Sequence, residues 1–298
     1  MAILRRILAG ARVRMTRTMY RGNMSAAVAD ALQERIVLDF LDGHVGADYG
    51  MSRSEKLDMV RRIKLAQSSI ESATHWTYHL ILGTQILSIP PAIEGAVVEC
   101  GCFKGASTAS LSILCERVGR TLYVCDSFEG LPEDDGTLHR YPHFKAHGFY
   151  EKGMYAGALE EVKGNIRGHG VLDVCEFVKG FFCDTLPSLD GPFALVFADV
   201  DLASSMRDCI IYLWPKLEDN GYFYTDDSGD MELVRLWFDE AWWQEHLGCN
   251  APGYVGSGCG LPISADRCTL GYAHKVADSS ASYARVPWLR YPDTPKGD

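Results

Sequence analysis

The chain has 298 residues, of which 47% are hydrophobic and 23% charged, a balance that supports a folded domain with a substantial core and argues against disorder. Its formal net charge of −10 argues against a nucleic-acid partner, because such proteins usually carry a basic face. No apolar run reaches the roughly 20 residues that span a bilayer, and the ten cysteines include no C-x-x-C pair, so we expect reduced thiols in a cytoplasmic enzyme.

Residues 1–25 are predicted to form a basic N-terminal arm. Six arginines lie in this arm, and no acidic residue or lysine occurs before Asp30. Three interpretations stay open: an arm that helps homo-oligomerisation, a basic helix over residues 1–21 that makes weak contact with a membrane surface, and a transit peptide.

Helical periodicity dominates the next part of the chain. Residues 26–43 and 52–72 are predicted to be amphipathic helices, and residues 73–90 continue the helical pattern. Ser52 followed by Glu55 three positions later is typical of a capping box at a helix start. These segments predict an N-terminal helical cap.

From residue 93 onward, short apolar runs alternate with apolar-periodic segments. Strands are predicted at 96–100, 121–126, 174–180, 193–199 and 221–227, helices at 106–119, 157–168, 204–217 and 231–248, and closing strands within 253–276. Alternating strands and helices indicate an α/β fold with a doubly wound, Rossmann-like parallel sheet. We therefore divide the chain into the arm, a helical cap over 26–92 and an α/β domain over 93–298.

Carboxylates stand at the ends of four of the five predicted parallel strands. They are Glu99, Asp126, Asp199 and the pair Asp226-Asp227. Ligands of doubly wound sheets bind at the carboxyl ends of the strands, so this placement predicts where the functional site lies.

The turn after the first strand reads E-x-G-x-x-x-G, from Glu99 through Gly101 to Gly105. A dinucleotide pyrophosphate prefers G-x-G-x-x-G, whereas an acid with backbone N–H groups suits the amine and carboxylate of S-adenosylmethionine. Asp126 follows Gly105 by 21 residues, where an acid accepts hydrogen bonds from ribose hydroxyls. An adenosyl ligand is indicated, although turn-forming glycines and a solvated acid remain the alternative.

A second acidic group follows the fourth and fifth strands. Asp199, Asp201, Asp226 and Asp227 should converge there, and their repulsion would raise their pKa values unless a cation compensates. We predict Asp199, Asp226 and Asp227 as ligands of Mg²⁺ or another divalent cation. The alternative role, capping of the following helices, suits Asp201 and Asp230 better.

The stretch 130–156 is long, polar and aromatic, and loops of that length in a compact domain are usually functional. It contains His139, His143 and His147 at four-residue spacing. These histidines could be metal ligands or a base, but a loop that shapes the substrate site is the favoured interpretation.

Four segments of this chain resemble the macrocin O-methyltransferase family: VVECGCFKGAS, YVCDSFEGLPEDD, VKGFFCDTLP and FADVDLASSMRDCIIYLWPKLEDNGYFYTDDSG. The resemblance spans roughly residues 50–275 and implies a class I S-adenosylmethionine-dependent methyltransferase with a seven-stranded sheet. Members are metal-dependent enzymes that methylate sugar hydroxyls on macrolides and related natural products, and they assemble through their N-terminal helices.

The resemblance also implies residue roles. Residues implied to contact the cofactor are Glu99, Gly101, Gly105, Asp126, Ser127, Gly180, Phe181 and, in a segment that closes over it, Met51. Asp199, Asp226 and Asp227 match the family's magnesium ligands. Val200, Ala203 and Ser228 depart from the family pattern, and these positions are expected to face the substrate. The acceptor is therefore not expected to be the macrolide sugar itself.

We therefore expect an S-adenosylmethionine- and Mg²⁺-dependent O-methyltransferase that acts on a small-molecule hydroxyl of a sugar, a glycosylated natural product or a polysaccharide. Asp199 is the candidate base, and His143 is the alternative. A metal-dependent hydrolase on the same fold would leave Glu99 and Asp126 unexplained. A non-catalytic methyltransferase-like scaffold is the third interpretation.

Overall fold

The computed structural model describes residues 26–134, 136–141, 144–146, 150–256 and 270–276. The predictions made for the arm 1–25, for His143 and for His147 lie outside these residues.

Within the described residues, three α-helices precede the first strand and confirm the predicted helical segments. They are α1 (Ala26–Phe40), α2 (Arg53–Ser69) and α3 (Trp76–Ser88). The predicted capping box is present, because Glu55 N donates to Ser52 Oγ at 3.2 Å and Ser52 N donates to Glu55 Oε2 at 2.7 Å. Two backbone donors that the helix itself leaves unpaired are thereby satisfied, so the start of α2 is encoded locally.

The remaining strands and helices follow in chain order. The strands are β1 (Ala96–Cys100), β2 (Leu122–Asp126), β3 (His139–Tyr141), β4 (Phe144–Ala146), β5 (Cys175–Lys179), β6 (Phe193–Ala198), β7 (Leu217–Thr225), β8 (Val255–Gly256) and β9 (Gly271–His274). The helices are α4 (Ala106–Val118), α5 (Leu159–His169), α6 (Phe182–Thr185), α7 (Ala203–Leu213), α8 (Met231–Leu236) and α9 (Glu240–Leu247).

Seven of these strands form one sheet in the order β5-β2-β1-β6-β7-β9-β8, and β3 pairs separately with β4. The first five strands in that order are parallel, whereas β9 is antiparallel to both β7 and β8. The predicted seven-stranded, doubly wound α/β sheet is confirmed. The strand order reverses between β1 and β6, and ligands of such sheets bind in the crevice at that reversal.

The prediction of a single helix over residues 231–248 is wrong. The chain leaves the helical path after Leu236, and a new helix begins at Glu240. Asp239 caps the second helix by accepting a hydrogen bond from Trp242 N at 3.1 Å. The helical spacing of apolar residues continues across this break, so periodicity does not reveal it. The break depends on the side chain of Asp239, which bonds a backbone N–H and so favours a new helix start.

The helices cover both faces of the sheet. Adjacent residues on a strand face opposite layers. Val97 belongs to the hydrophobic cluster that contains Phe40 and Leu80 of the cap helices, whereas Val98 belongs to the cluster that contains Ile210 of α7. The boundary between the cap and the α/β domain stays a prediction. None of the described helices combines the length and the hydropathy that a bilayer-spanning segment requires.

Candidate active site

One cavity of about 760 Å³ opens at the carboxyl ends of the parallel strands. Its walls come from the turns after the parallel strands, from the segment 71–74 between α2 and α3, and from the long loop after β2. Eight residues predicted to contact the cofactor or the metal line it: Gly101, Asp126, Ser127, Gly180, Phe181, Asp199, Asp226 and Asp227. The structure therefore brings the residues predicted for the cofactor and those predicted for the metal into one cavity.

The turn after β1 is built around Gly101. Its φ is +85°, and a Cβ atom there would lie 1.9 Å from the carbonyl oxygen of Asp199. Only glycine combines the left-handed backbone with so close an approach. The turn after β1 is consequently in contact with the end of β6, where Asp199 is the first residue of the acidic group. Gly105, which also has a φ of +85°, precedes α4 and directs the N-terminus of that helix toward the cavity side of the sheet.

Glu99 is fully buried beneath this turn and does not itself line the cavity. Its Oε2 accepts a hydrogen bond from Thr108 Oγ1 at 2.6 Å, while Oε1 has no partner within the described part of the chain. Burial raises the pKa of Glu99 to about 7, and hydrogen bonds from Ser107 and Thr108 oppose that rise. An unsatisfied buried carboxylate oxygen destabilises the fold, and a hydrogen-bond donor reaching it would relieve that cost.

Asp126 is held by backbone donors from two different loops. Cys102 N donates to its Oδ2 at 2.8 Å, and Phe128 N donates to its Oδ1 at 2.6 Å. Each carboxylate oxygen keeps a further lone pair, so the side chain can also accept ribose hydroxyls. Ser127 beside it donates to Gly130 O at 2.8 Å and accepts from Glu129 N at 3.0 Å, which closes the loop locally.

The turn after β5 completes this side of the cavity. Gly180 has a φ of +145° and donates its N–H to Asp126 O at 3.0 Å. A Cβ atom on Gly180 would lie 2.7 Å from Thr185 Cγ2, so the turn is tight. Phe181 follows as the N-cap of α6 and lines the cavity.

Met51 lies away from the cavity in this structure. Its side chain packs against the cap core and approaches Gly46. The predicted closure of this segment over the cofactor stays a prediction.

The acidic group lies on the other side of Gly101. The loops that carry it are joined by two hydrogen bonds: Asp226 N donates to the backbone Ala198 O at 3.1 Å, and Asp201 N donates to the side-chain Oδ2 of Asp227 at 3.2 Å. Asp201 has a φ of +58°, an uncommon conformation for a residue other than glycine, asparagine or aspartate. The two loops therefore behave as one unit.

Electrostatic repulsion dominates this unit. Burial, followed by the charges of Asp226 and Asp201, raises the pKa of Asp199 well above its ordinary value. Burial and the same kind of repulsion raise the pKa of Asp227. Burial also raises the pKa of Asp201 to about 6, although a hydrogen bond from Tyr150 opposes that rise. Like charges that cannot all ionise favour a bound cation or retained protons.

The donor set suits a hard divalent cation, which prefers carboxylate oxygens and tolerates several waters. Within the described residues, however, no three histidine, cysteine, aspartate or glutamate side chains are already gathered as a metal site. The chemistry of Asp199, Asp226 and Asp227 fits the predicted metal, whereas their arrangement is not preformed. Metal binding stays a prediction.

The sequence singles out His139 and Asp230 separately but does not predict that they form a pair beside the site. His139 Nδ1 lies 2.5 Å from Asp230 Oδ2, and both side chains are fully buried. Asp230 also caps α8 by accepting from Glu232 N at 3.0 Å, which confirms the capping role expected for it. A separation of 91 residues leaves no local signal for the pair. His143, the alternative base, lies outside the described residues.

The cavity lining is strongly acidic. Among the described residues that line it, eight are carboxylates and none is lysine, arginine or histidine. The negative potential of such a lining attracts cationic ligands and repels anions. It suits S-adenosylmethionine, whose sulfonium and amine outweigh its carboxylate, and it opposes a phosphorylated acceptor.

A family model for macrocin-O-methyltransferase (TylF) matches residues 86–250, more than half of the chain. The matched span contains every residue predicted to contact the cofactor or the metal, except Met51.

Three curated relatives are similar over the same part of the chain. The 8-demethyl-8-(2,3-dimethoxy-alpha-L-rhamnosyl)-tetracenomycin-C 4'-O-methyltransferase of Streptomyces olivaceus is 34% identical over 143 residues, which are 45% of this chain and 53% of the relative. Demethyldecarbamoylnovobiocin O-methyltransferase of Streptomyces niveus is 31% identical over 149 residues, again 45% and 53%. Mycinamicin III 3''-O-methyltransferase of Micromonospora griseorubida is 28% identical over 145 residues, 45% and 56%. The chain thus spans about half the length of the curated relatives it matches.

Solved structures are also similar. The O-methyltransferase NovP has 25% sequence identity and a TM-score of 0.48, with 62% of this chain and 73% of that chain covered.

Proposed function

The chain belongs to the macrocin-O-methyltransferase family, and on that premise we propose that it transfers the methyl group of S-adenosylmethionine to a hydroxyl of a glycosylated natural product. One observation carries the proposal. A single cavity is lined both by the residues suited to the methyl donor and by the aspartates suited to a divalent cation.

The donor side of the cavity supports binding of the adenosyl and methionine groups. Asp126 would accept the ribose hydroxyls, since backbone N–H groups already hold its carboxylate in place. Ser127 and Phe181 would flank the adenosine. Glu99, beneath the Gly101 turn, would compensate the positive charge of the methionine amine, whose approach would in turn stabilise the ionised form of the carboxyl.

On the acceptor side, Asp199, Asp226 and Asp227 would hold the cation. Methyl transfer from the sulfonium requires an acceptor oxygen within about 3 Å of the methyl carbon. S-adenosylmethionine would supply that carbon, and a divalent cation would orient the acceptor hydroxyl and lower its pKa. Asp199 is the proposed base because its carboxylate lines the cavity at the cation site, where the acceptor hydroxyl would be held.

The acceptor class follows from the relatives and the cavity. One relative is named for methylating a rhamnosyl-tetracenomycin at a sugar 4'-hydroxyl, another for a novobiocin precursor and a third for mycinamicin III. The acidic lining favours a neutral or amine-bearing glycoside over a phosphorylated sugar.

Three departures from the family pattern were expected to face the substrate. Val200 lines the cavity, whereas Ala203 and Ser228 are buried and do not line it. Val200 is therefore the departure with the clearest route to acceptor selectivity. The predicted cytoplasmic location and assembly through the N-terminal helices remain proposals.

Isothermal titration calorimetry with S-adenosylmethionine, with and without Mg²⁺, tests the donor and metal sites separately. Mass spectrometry then tests whether rhamnosides gain one methyl group, with methyl α-L-rhamnoside, a rhamnosylated tetracenomycin and dTDP-rhamnose as acceptors. We expect donor binding without metal, turnover only with metal, and the anionic nucleotide sugar to be the poorest acceptor. A hydrolase would not bind the donor, and a pure scaffold would bind it without turnover.

A further inference from the structure

Tyr150 occupies a particular place in the cavity wall. It lies in the long loop after β2, is 6% exposed and lines the cavity. Its hydroxyl hydrogen-bonds to the carboxylate of Asp201, which is two residues beyond the proposed base. The phenol is therefore on the acidic side of the cavity, where the acceptor hydroxyl would arrive.

The ring of Tyr150 packs against a buried histidine–aspartate pair, His139 and Asp230. It meets the His139 ring edge to face, with centroids 5.0 Å apart and planes at 81°. His139 Nδ1 in turn lies 2.5 Å from Asp230 Oδ2, and neither side chain has any exposed surface. Aromatic contacts of this kind fix a ring's orientation as well as its position.

Asp230 is itself immobilised. Its Oδ1 accepts hydrogen bonds from Arg140 N and Glu232 N, both at 3.0 Å. One carboxylate thereby ties β3 of the long loop to the start of α8, just beyond the Asp226-Asp227 pair. Removing one partner from so buried a pair is usually costly, so this arrangement fixes His139 and Arg140 of β3 against the start of α8.

From these contacts we propose that Tyr150 contacts the acceptor and determines its selectivity, and that the His139–Asp230 pair acts as a positioning device for Tyr150. The proposal rests on the proposed O-methyltransferase function. A phenol beside carboxylates offers both an apolar ring face and a polar edge. A glycoside matches this surface, because its sugar has an apolar C–H face and peripheral hydroxyls.

Steady-state kinetics at saturating S-adenosylmethionine, with the rhamnosylated tetracenomycin as the varied acceptor, test the proposal. Tyr150→Phe keeps the ring and removes the hydroxyl, so we expect the acceptor KM to rise about tenfold while donor Kd stays unchanged. His139→Gln and Asp230→Asn should raise the same KM. Combining His139→Gln with Tyr150→Phe should add little, because both changes act on one contact.

Asp239→Asn is the matched control, because Asp239 is also an N-cap aspartate but contacts no histidine within the described residues. It should leave the acceptor KM unchanged. An unchanged KM in Tyr150→Phe, with active wild-type enzyme, overturns this inference alone. An equal loss of donor affinity overturns it as well, since the residues would then support the whole site. If a His139 or Asp230 variant does not fold, the acceptor KM of Tyr150→Phe by itself tests the proposal. Wild-type protein that methylates no glycoside overturns the proposed function together with this inference.

Discussion

Asp126 and Asp199 both stand at the end of a parallel strand and line the same cavity, but the protein surrounds them in different ways. Two backbone N–H groups hold the carboxylate of Asp126. Asp199 instead faces other carboxylates, and burial together with their charges raises its pKa. The Asp126 carboxylate is thus held in place by hydrogen bonds, whereas the carboxylates around Asp199 repel one another, and a cation or a proton relieves that repulsion.

This difference assigns separate tasks to chemically identical side chains. A carboxylate that backbone donors hold in place is a preformed hydrogen-bond acceptor. A carboxylate that faces other carboxylates can instead hold a cation or take up a proton, as a metal ligand or a general base must. Four substitutions can break or sharpen the contrast.

Asp199→Asn should have the largest effect. Loss of the base and of one metal ligand is expected to lower kcat by about 10³-fold or more, because general base catalysis alone contributes roughly 10²- to 10⁴-fold. Donor Kd, measured by calorimetry, should change little. Asp219→Asn, an exposed aspartate on β7, is the control. Full activity of the Asp199 variant would remove it from the mechanism.

Gly101→Ala should damage both sides at once, since a Cβ atom there would meet the Asp199 carbonyl oxygen. We expect the free energy of unfolding to fall by about 3 to 5 kcal/mol, from left-handed strain and overpacking together. Gly119→Ala separates the two causes. Its φ is +68° with no atom near the added Cβ, so it should show only the strain. Equal losses in denaturant titrations of both variants would contradict the close contact.

Glu99→Gln tests whether buried charge destabilises the donor side too. The pKa of Glu99 is raised from 4.5 to about 7, so the folded state holds this proton more tightly than the unfolded state. The stability that this bound proton contributes is fully present below pH 4.5 and is lost as the pH rises through 7. At pH 8 the variant should therefore be more stable than the wild type, by about 3 kcal/mol.

That gain should shrink as the pH is lowered to 5. Thermal unfolding of the donor-free protein across this range measures it, with the exposed Glu116→Gln on α4 as the control. Parallel stability curves for the wild type and Glu99→Gln would show that the carboxyl is not penalised by burial.

Asp126→Asn should have the smallest effect. The amide has a single acceptor oxygen, so one of the two backbone donors loses its partner and ribose recognition weakens. We expect donor affinity to fall about 10- to 100-fold, in line with the loss of a hydrogen bond to a charged group. The control Asp173→Asn, beyond α5, should bind the donor normally. Unchanged affinity in Asp126→Asn would place the ribose elsewhere.

The sequence alone predicted the features that are local. A run such as AVVEC or FALVFA encodes a buried strand, and the acid near its end, Glu99 in the first and Asp199 after the second, necessarily falls at the strand's carboxyl end. The capping box at Ser52 was equally predictable, because its members are three residues apart. Shared strand direction then indicated that Asp126 and Asp199 would meet at one edge of the sheet.

Tertiary structure alone decided what surrounds each of these acids. The backbone donors of Asp126 and the repulsion at Asp199 depend on how separate loops approach one another, which periodicity does not encode. His139 and Asp230 are paired across 91 residues by the path of the long loop, and the break before Glu240 depends on a cap that helical spacing conceals. The periodicity of apolar residues indicates which face of a helix or strand a side chain occupies. The partners of that side chain in distant segments are determined only when folding brings those segments together.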